Sequence, residues 1–239
     1  MSRPAVPEAL KRPALRRAKQ RADALRADLR RRRARHRFAA ALTALREIAP
    51  ADPDPELLEE LRAGWGDPDS APAGLLAAAI SHFRAASGEG VECGSGLSTV
   101  VLGVYAEALG RRWWALEHHP EWRARVADEL ARHGLRAARV LEAPLVDHGG
   151  HRWYAVPDEL PERIELVLCD GPPADRPGLE LARYGLLPVL GDRFGERVTV
   201  LLDDAGRPGE QSVLALWESA GLRWSSGSAE RQFAIVTRD

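Results

Sequence analysis

The sequence predicts an α/β protein: a doubly wound, mostly parallel sheet ending in an antiparallel hairpin and preceded by a helical arm. Three observations lead there. Short apolar runs alternate with segments of helical period, joined by short connections, over the second two-thirds of the chain. One run, Val91-Glu92-Cys93, bends sharply through Gly94-Ser95-Gly96 straight into a helical segment. Finally, Glu92, Glu117, Asp170 and Asp203 each close an apolar run, and in such sheets ligands bind beyond the carboxyl ends of the strands.

The first element is an arm over 1–48, with a domain over 49–239 behind it. Pro4, Pro7 and Pro13 predict an extended or disordered start over 1–13. From Ala14 to about Ile48 there is neither proline nor glycine, and Leu15, Ala22, Leu25, Leu29 and Phe38 recur at near-helical spacing, which reads as one helix with a thin apolar seam. Residues 1–37 carry 14 Lys/Arg against 3 Asp/Glu, so a net charge of -1 for the 239 residues hides a basic arm on an acidic domain. A nucleic-acid contact, an acidic membrane surface and a partner helix are all open to such an arm. No aromatic precedes Phe38 and no nucleic-acid-binding motif accompanies the charge, so the preferred reading is a solvated helix that packs on its own domain or on a second copy as a homodimer.

Ala49 to Ala73 is rich in proline and aspartate around a short helix, Glu56 to Ala63. Trp65-Gly66-Asp67-Pro68 follows, either as a flap over a cleft or as a surface anchor, and Leu75 to Ala86 is helical again. The alternation then runs regularly: strand to Glu92, helix 97–109, strand Trp113 to Glu117, helix Pro120 to His133, strand Ala137 to Leu141, strand Ile164 to Asp170. A helical segment over Leu179 to Asp192, strand Val198 to Asp203, helix Gly209 to Ala220 and a hairpin of 222–225 with 233–237 complete it. The longest irregular stretch, Pro144 to Pro161, holds His148, His151, Trp153 and Tyr154, and a loop of that length is often functional.

The glycine turn carries the chemistry. Two glycines let a ligand approach the backbone, but Glu92 beside them would repel a pyrophosphate, and Thr99 stands where a dinucleotide fingerprint has its third glycine. Glu117, at the end of the next strand, is placed to accept hydrogen bonds from ribose hydroxyls. A phosphate-free nucleoside with a positive charge and an amino-acid tail meets these conditions, and S-adenosylmethionine is such a ligand. The segments Glu-Cys-Gly-Ser-Gly-Leu-Ser-Thr at 92–99, Leu-Glu-His-His-Pro-Glu-Trp at 116–122, Cys-Asp-Gly-Pro-Pro at 169–173 and Leu-Asp-Asp-Ala at 202–205 resemble class I S-adenosylmethionine-dependent methyltransferases. The resemblance spans roughly residues 55–239.

It implies a seven-stranded Rossmann-like sheet with the cofactor held by Glu92, Gly94, Ser95, Gly96, Ser98, Thr99, Glu117, His118 and Asp170, and with adenine near Glu142 and Ala143. Glu92 is expected to meet the ammonium of the ligand, directly or through water. Asp170, Asp203 and Asp204 resemble the acids with which catechol-type O-methyltransferases hold a divalent ion, here Mg2+ or another oxygen-loving cation, although Asp204 stands where that family has asparagine. The alternative for these aspartates is pairing with Arg176, Arg183 or Arg207. Asp170, Asp203 and His151 are candidate catalytic groups, with His148 a further candidate base. The resulting expectation is O-methylation of a small-molecule or glycan-linked acceptor. Nucleic-acid methylation through the arm and a non-catalytic nucleotide-binding assembly role remain as alternatives. Cys93 and Cys169 give neither a disulfide framework nor metal-ligand spacing, and no apolar run approaches a membrane span, so a soluble protein of the reducing cytoplasm is expected.

Overall fold

The computed structural model describes residues 8–238 apart from 177 and 229–231, with side-chain surroundings described from Gln20 on, Ala22 excepted. Helix α1 spans Glu8–Ile48. It therefore begins before Pro13, which the sequence reading placed in an extended lead; residues 1–7 lie outside the described residues. Two helices follow, α2 (Pro55–Trp65) and α3 (Ala73–Ala85). Asp54 caps α2 by accepting from the Glu56 N–H, Pro55 suits its first turn, and Gly66 ends it in the left-handed conformation.

The alternating part contains β1 (Glu89–Cys93), α4 (Leu97–Leu109), β2 (Trp113–Glu117), α5 (Pro120–Arg132) and β3 (Ala138–Glu142). The stretch 144–161, expected to be irregular, folds into a small antiparallel ribbon of β4 (Leu145–Asp147) and β5 (Arg152–Tyr154). Then come β6 (Ile164–Cys169), a short α6 (Leu186–Leu190) flanked by 3-10 turns, β7 (Phe194–Asp203), α7 (Pro208–Ser219), β8 (Leu222–Ser226) and β9 (Phe233–Arg238). The predicted helix over 179–192 is thus broken into three short pieces, and β7 starts four residues earlier than expected.

The main sheet has seven strands in the order β3-β2-β1-β6-β7-β9-β8. β9 runs antiparallel to both its neighbours, and the other pairings are parallel. The strand order reverses between β1 and β6, the position at which doubly wound sheets open a crevice above their carboxyl ends.

Alternate residues of the central strands feed two cores, one on each face. Leu166 and Leu168 of β6 join Tyr105, Phe83 and Trp113 on one face, together with Phe38, Ala41, Leu42 and Leu45 from the end of α1. Val167 and Cys169 join Trp153, Tyr154, Leu214 and Trp217 on the other. Burying such a side chain contributes about 1.5–3 kcal/mol relative to exposure. The last turns of α1, from Phe38 on, therefore pack into the domain's core. Cys93 and Cys169 are register partners on adjacent strands, buried and free. No helix among the described residues is long and apolar enough to cross a membrane.

Candidate functional site

The carboxyl ends of β1, β2, β6 and β7 meet above the strand reversal, and two hollows open there. The smaller, of about 270 Å³, is lined by the glycine turn (Ser95 to Ser98), Trp65, Asp67, Trp122 and Asp170. The larger, of about 730 Å³, is lined among others by Arg62, Asp170, Arg183, Asp203, Asp204 and Arg207. Asp69, Ser70 and Asp170 line both, so the hollows share a wall.

The turn is shaped by glycine where its geometry demands it. Gly94 has φ 98°, a conformation that side-chain-bearing residues rarely adopt, and its N–H donates to the Leu116 carbonyl of β2. Gly96 is extended, and a Cβ built on it would meet no atom within 4 Å; it would project into open space. On the β6 side, a Cβ on Gly171 would lie 2.2 Å from the Tyr154 hydroxyl. That closeness lets the Asp170 and Gly171 N–H groups both donate to the Cys93 carbonyl, at 3.2 and 2.7 Å, so that the β6 end is bound to the glycine turn.

Glu92 departs from its expected role. Its carboxyl accepts from Ser98 Oγ, from Thr99 Oγ1 at 2.7 Å and from Trp113 Nε1 at 3.0 Å, and the residue is 1 % exposed. With both oxygens engaged by internal donors, it braces the first turn of α4 from beneath and lines neither hollow. Burial pushes its pKa up to about 7, against the opposing pull of the three donors. Gly90 makes the brace reachable, because a Cβ there would fall 2.1 Å from the Trp113 ring. Ser98 and Thr99 are accordingly turned toward Glu92, and Thr99 Oγ1 also accepts the Gly96 N–H at 2.9 Å.

Glu117 is placed otherwise. Its Oε2 accepts from Ser95 Oγ at 2.8 Å, and Ser95 lines the smaller hollow; its Oε1 accepts the His119 N–H at 2.8 Å. Each oxygen keeps a lone pair, so a diol displacing the serine hydroxyl would find acceptors already oriented. His118 sits beside it, Nδ1 3.3 Å from Oε1, with its ring against Tyr154. Trp122 closes the hollow by donating from Nε1 to the Ser95 carbonyl at 2.7 Å.

Glu142 and Ala143, expected near adenine, lie beside Glu117 at the end of β3. Glu142 is turned to the surface toward Arg123 at 3.5 Å, and Ala143 is packed in the core while its N–H donates to the Glu117 carbonyl. His151 lies on neither hollow; its ring meets Tyr184 at 5.4 Å in a separate depression beside Leu181 and Leu216. His148 Nε2 is engaged with the Tyr154 carbonyl at 2.9 Å. The β4–β5 ribbon, a stretch the sequence reads as irregular, keeps both histidines out of the linings of the two hollows.

In the larger hollow Arg183 is the organising group. Buried to 3 % exposure, it donates to the Asp203 and Asp170 carbonyls at 2.8 and 2.6 Å and pairs with Asp204 Oδ2 at 3.0 Å, Asp170 Oδ1 at 3.4 Å and Glu210 at 3.4 Å. Arg207 pairs with Asp204 at 2.8 Å. Asp204 has φ 56° and donates its N–H to Asp203 Oδ1, which holds the three carboxyls close. Burial, and then repulsion from Asp170 and Asp204, pushes Asp203 up to about 7; burial also raises Asp170, with Arg183 opposing it.

Three carboxylate oxygens here lie within 4.8 Å of one another, a donor set chemically suited to a hard cation. The Arg183 guanidinium, however, already bridges Asp170 and Asp204. The cluster is an arginine-centred network of two guanidiniums against four carboxyls, with Arg183 in the place between Asp170 and Asp204 that an ion would take. Arg183 was legible as a partner for the aspartates and Trp122 stood in the 116–122 segment, whereas Asp69 and Ser70 carried no motif that would have marked them as walls.

No family model matches the sequence, and no curated protein matches it. Solved structures do. A precorrin-6y C5,15-methyltransferase from Geobacter metallireducens aligns with a TM-score of 0.52 at 16% identity, covering 73% of this chain and 92% of that one. An SAH-bound methyltransferase from Podospora anserina aligns with a TM-score of 0.51 at 16% identity, covering 78% and 88%. The chain has the Rossmann-like fold of the class I S-adenosylmethionine-dependent methyltransferases.

Proposed function

We propose that the chain is an S-adenosylmethionine-dependent methyltransferase, with the nucleoside in the smaller hollow and the methyl acceptor in the larger. The observation that carries this reading is Asp170, which lines both hollows where the strand order reverses. When bound, the cofactor supplies an electrophilic methyl group on a positively charged sulfur. Glu117 accepts hydrogen bonds from the ribose hydroxyls, the open space over Gly96 admits the ligand to the backbone, and Trp65 and Trp122 wall it from water. Glu92 holds the turn in shape from below.

In the larger hollow the acceptor's nucleophilic atom must approach in line with the bond being broken, and positioning supplies much of such a rate enhancement. A hydroxyl acceptor also gives up a proton. Asp203, pushed up to about 7, and Asp170, raised by burial, hold protons more tightly than ordinary aspartates, which suits them to take it. This supports an oxygen acceptor of small-molecule or glycan-linked type, methylated without a divalent ion. The network also supports activity that survives a chelator. A free Cys93 and Cys169 in register are consistent with a reducing compartment, the cytoplasm.

Calorimetric titration with S-adenosylmethionine, NAD and ATP tests the cofactor, and tighter binding of NAD would overturn the assignment. Asp170→Asn should keep cofactor affinity within about threefold while lowering turnover on hydroxyl acceptors by roughly 10²–10⁴-fold, the range for a lost general base.

A further inference from the structure

Between Gln20 and Arg37, α1 has no buried side chain among the described residues. Arg26 pairs with Asp23, while Arg31 and Arg32 share Asp28. Arg30, Arg33, Arg35 and Arg37 are exposed and have no acidic partner among the described residues. At about 100° per residue, Arg26, Arg30, Arg33 and Arg37 fall within an arc of roughly 60°, with Arg31 and Arg35 on other sides. The cations thus form one ridge and continue around the helix.

We propose that this part of α1 inserts into the major groove of duplex DNA, where an α-helix fits and phosphates flank it on both sides. The distribution of charge argues for that partner. A helix lying on an anionic membrane needs its cations segregated from a broad apolar face, whereas Leu25 and Leu29 are the only large exposed apolar side chains of this segment and arginines surround them. Single strands are gripped by stacking on aromatic rings, and no aromatic occurs before Phe38. The deep, narrow major groove of duplex RNA does not admit side chains to its floor, and a second copy of the arm brings like charge.

DNA is a docking partner here and not the methyl acceptor, a distinction that rests on the proposed methyl-transfer reading. The larger hollow is walled by Asp69, Asp170, Asp175, Asp203 and Asp204, and within it Arg183 and Arg207 are spent on those same acids. Such walls repel a phosphate backbone.

The test is fluorescence anisotropy of the full chain with a labelled duplex DNA of mixed sequence, between about 50 and 200 mM salt. The wild type should bind with log Kd rising roughly threefold or more steeply than log salt, and Arg30→Glu/Arg33→Glu/Arg37→Glu should weaken binding at least about tenfold. Calorimetry with S-adenosylmethionine, run on both proteins, should be unchanged, which separates failure of the arm from failure of the methyl-transfer reading. Equal DNA affinity in the variant, tighter binding to duplex RNA, single strands or phosphatidylserine vesicles, or a dimer that buries these arginines would overturn the proposal. So would transfer of labelled methyl to the DNA.

Discussion

Two glutamates near the ends of neighbouring strands do different work, and their immediate neighbours decide which. Glu117 accepts from Ser95, which lines the smaller hollow, so on the proposed reading Glu117→Ala should weaken S-adenosylmethionine by about 1.5–3 kcal/mol, roughly 10- to 150-fold in Kd by calorimetry, the size of a hydrogen bond to a charged group. Glu92 is a buried brace whose folded pKa, about 7, lies above its unfolded value. Stability from its protonated form is therefore complete below the ordinary glutamate range and is lost as pH rises toward 7. Melting temperature should fall over that interval, and Glu92→Gln, which cannot ionise, should fall less steeply. An equal slope in both proteins would contradict the assignment. The sequence marked both acids by position alone. What it concealed was Gly90, whose missing Cβ lets Trp113 reach across β1 to Glu92. No spacing rule could have announced that contact, since it depends on how two parallel strands register.

At the level of elements, the alternation of strands and helices was legible because the central strands β1, β2 and β6 are buried on both faces and most connections between strands and helices are short. The misread segments are those whose form depends on partners distant in sequence. The β4–β5 ribbon forms beneath β6, where Trp153 and Tyr154 fill the core and Gly171 leaves room for the tyrosine hydroxyl. His151 looked like a base while its loop had no assigned shape; the ribbon carries it elsewhere. Gly171→Ala should force a clash at the junction of β5 and β6 and destabilise the protein by about 1–3 kcal/mol in denaturant titration, the usual range for overpacking. The segment before β7 was expected to be one helix, but its Arg183 must reach both strand ends, and the chain bends through 3-10 turns to bring it there. Removing that cation by Arg183→Met strands several acids together. The expected loss of about 3–5 kcal/mol at pH 8 should shrink at pH 5, where Asp203 can hold a proton in place.

Across the molecule, charge and packing divide the chain at different points. The basic segment ends near residue 37 and the core begins at Phe38, although the helix runs unbroken through both. The sequence reading drew a single apolar seam from Leu15 to Phe38. In fact Leu25 and Leu29 are 64% and 52% exposed, while Phe38, Ala41, Leu42 and Leu45 are buried. Leu29 and Phe38 lie about 180° apart around the helix, so near-helical spacing had joined residues from opposite sides. A chain beginning at Phe38 should consequently melt within a few degrees of the full protein in calorimetry, since nothing buried among the described residues is removed. A loss of cooperative folding would mean that the arm's earlier turns support the core.

Trp65 and Trp122 flank Arg125, at 5.4 and 4.5 Å from the ring centres, and both face the smaller hollow. Their indoles form a built-in optical probe: a ligand entering there should alter intrinsic emission, and the signal should vanish when both are replaced by phenylalanine. Occupancy could then be followed by stopped flow in unlabelled protein before any acceptor has been identified.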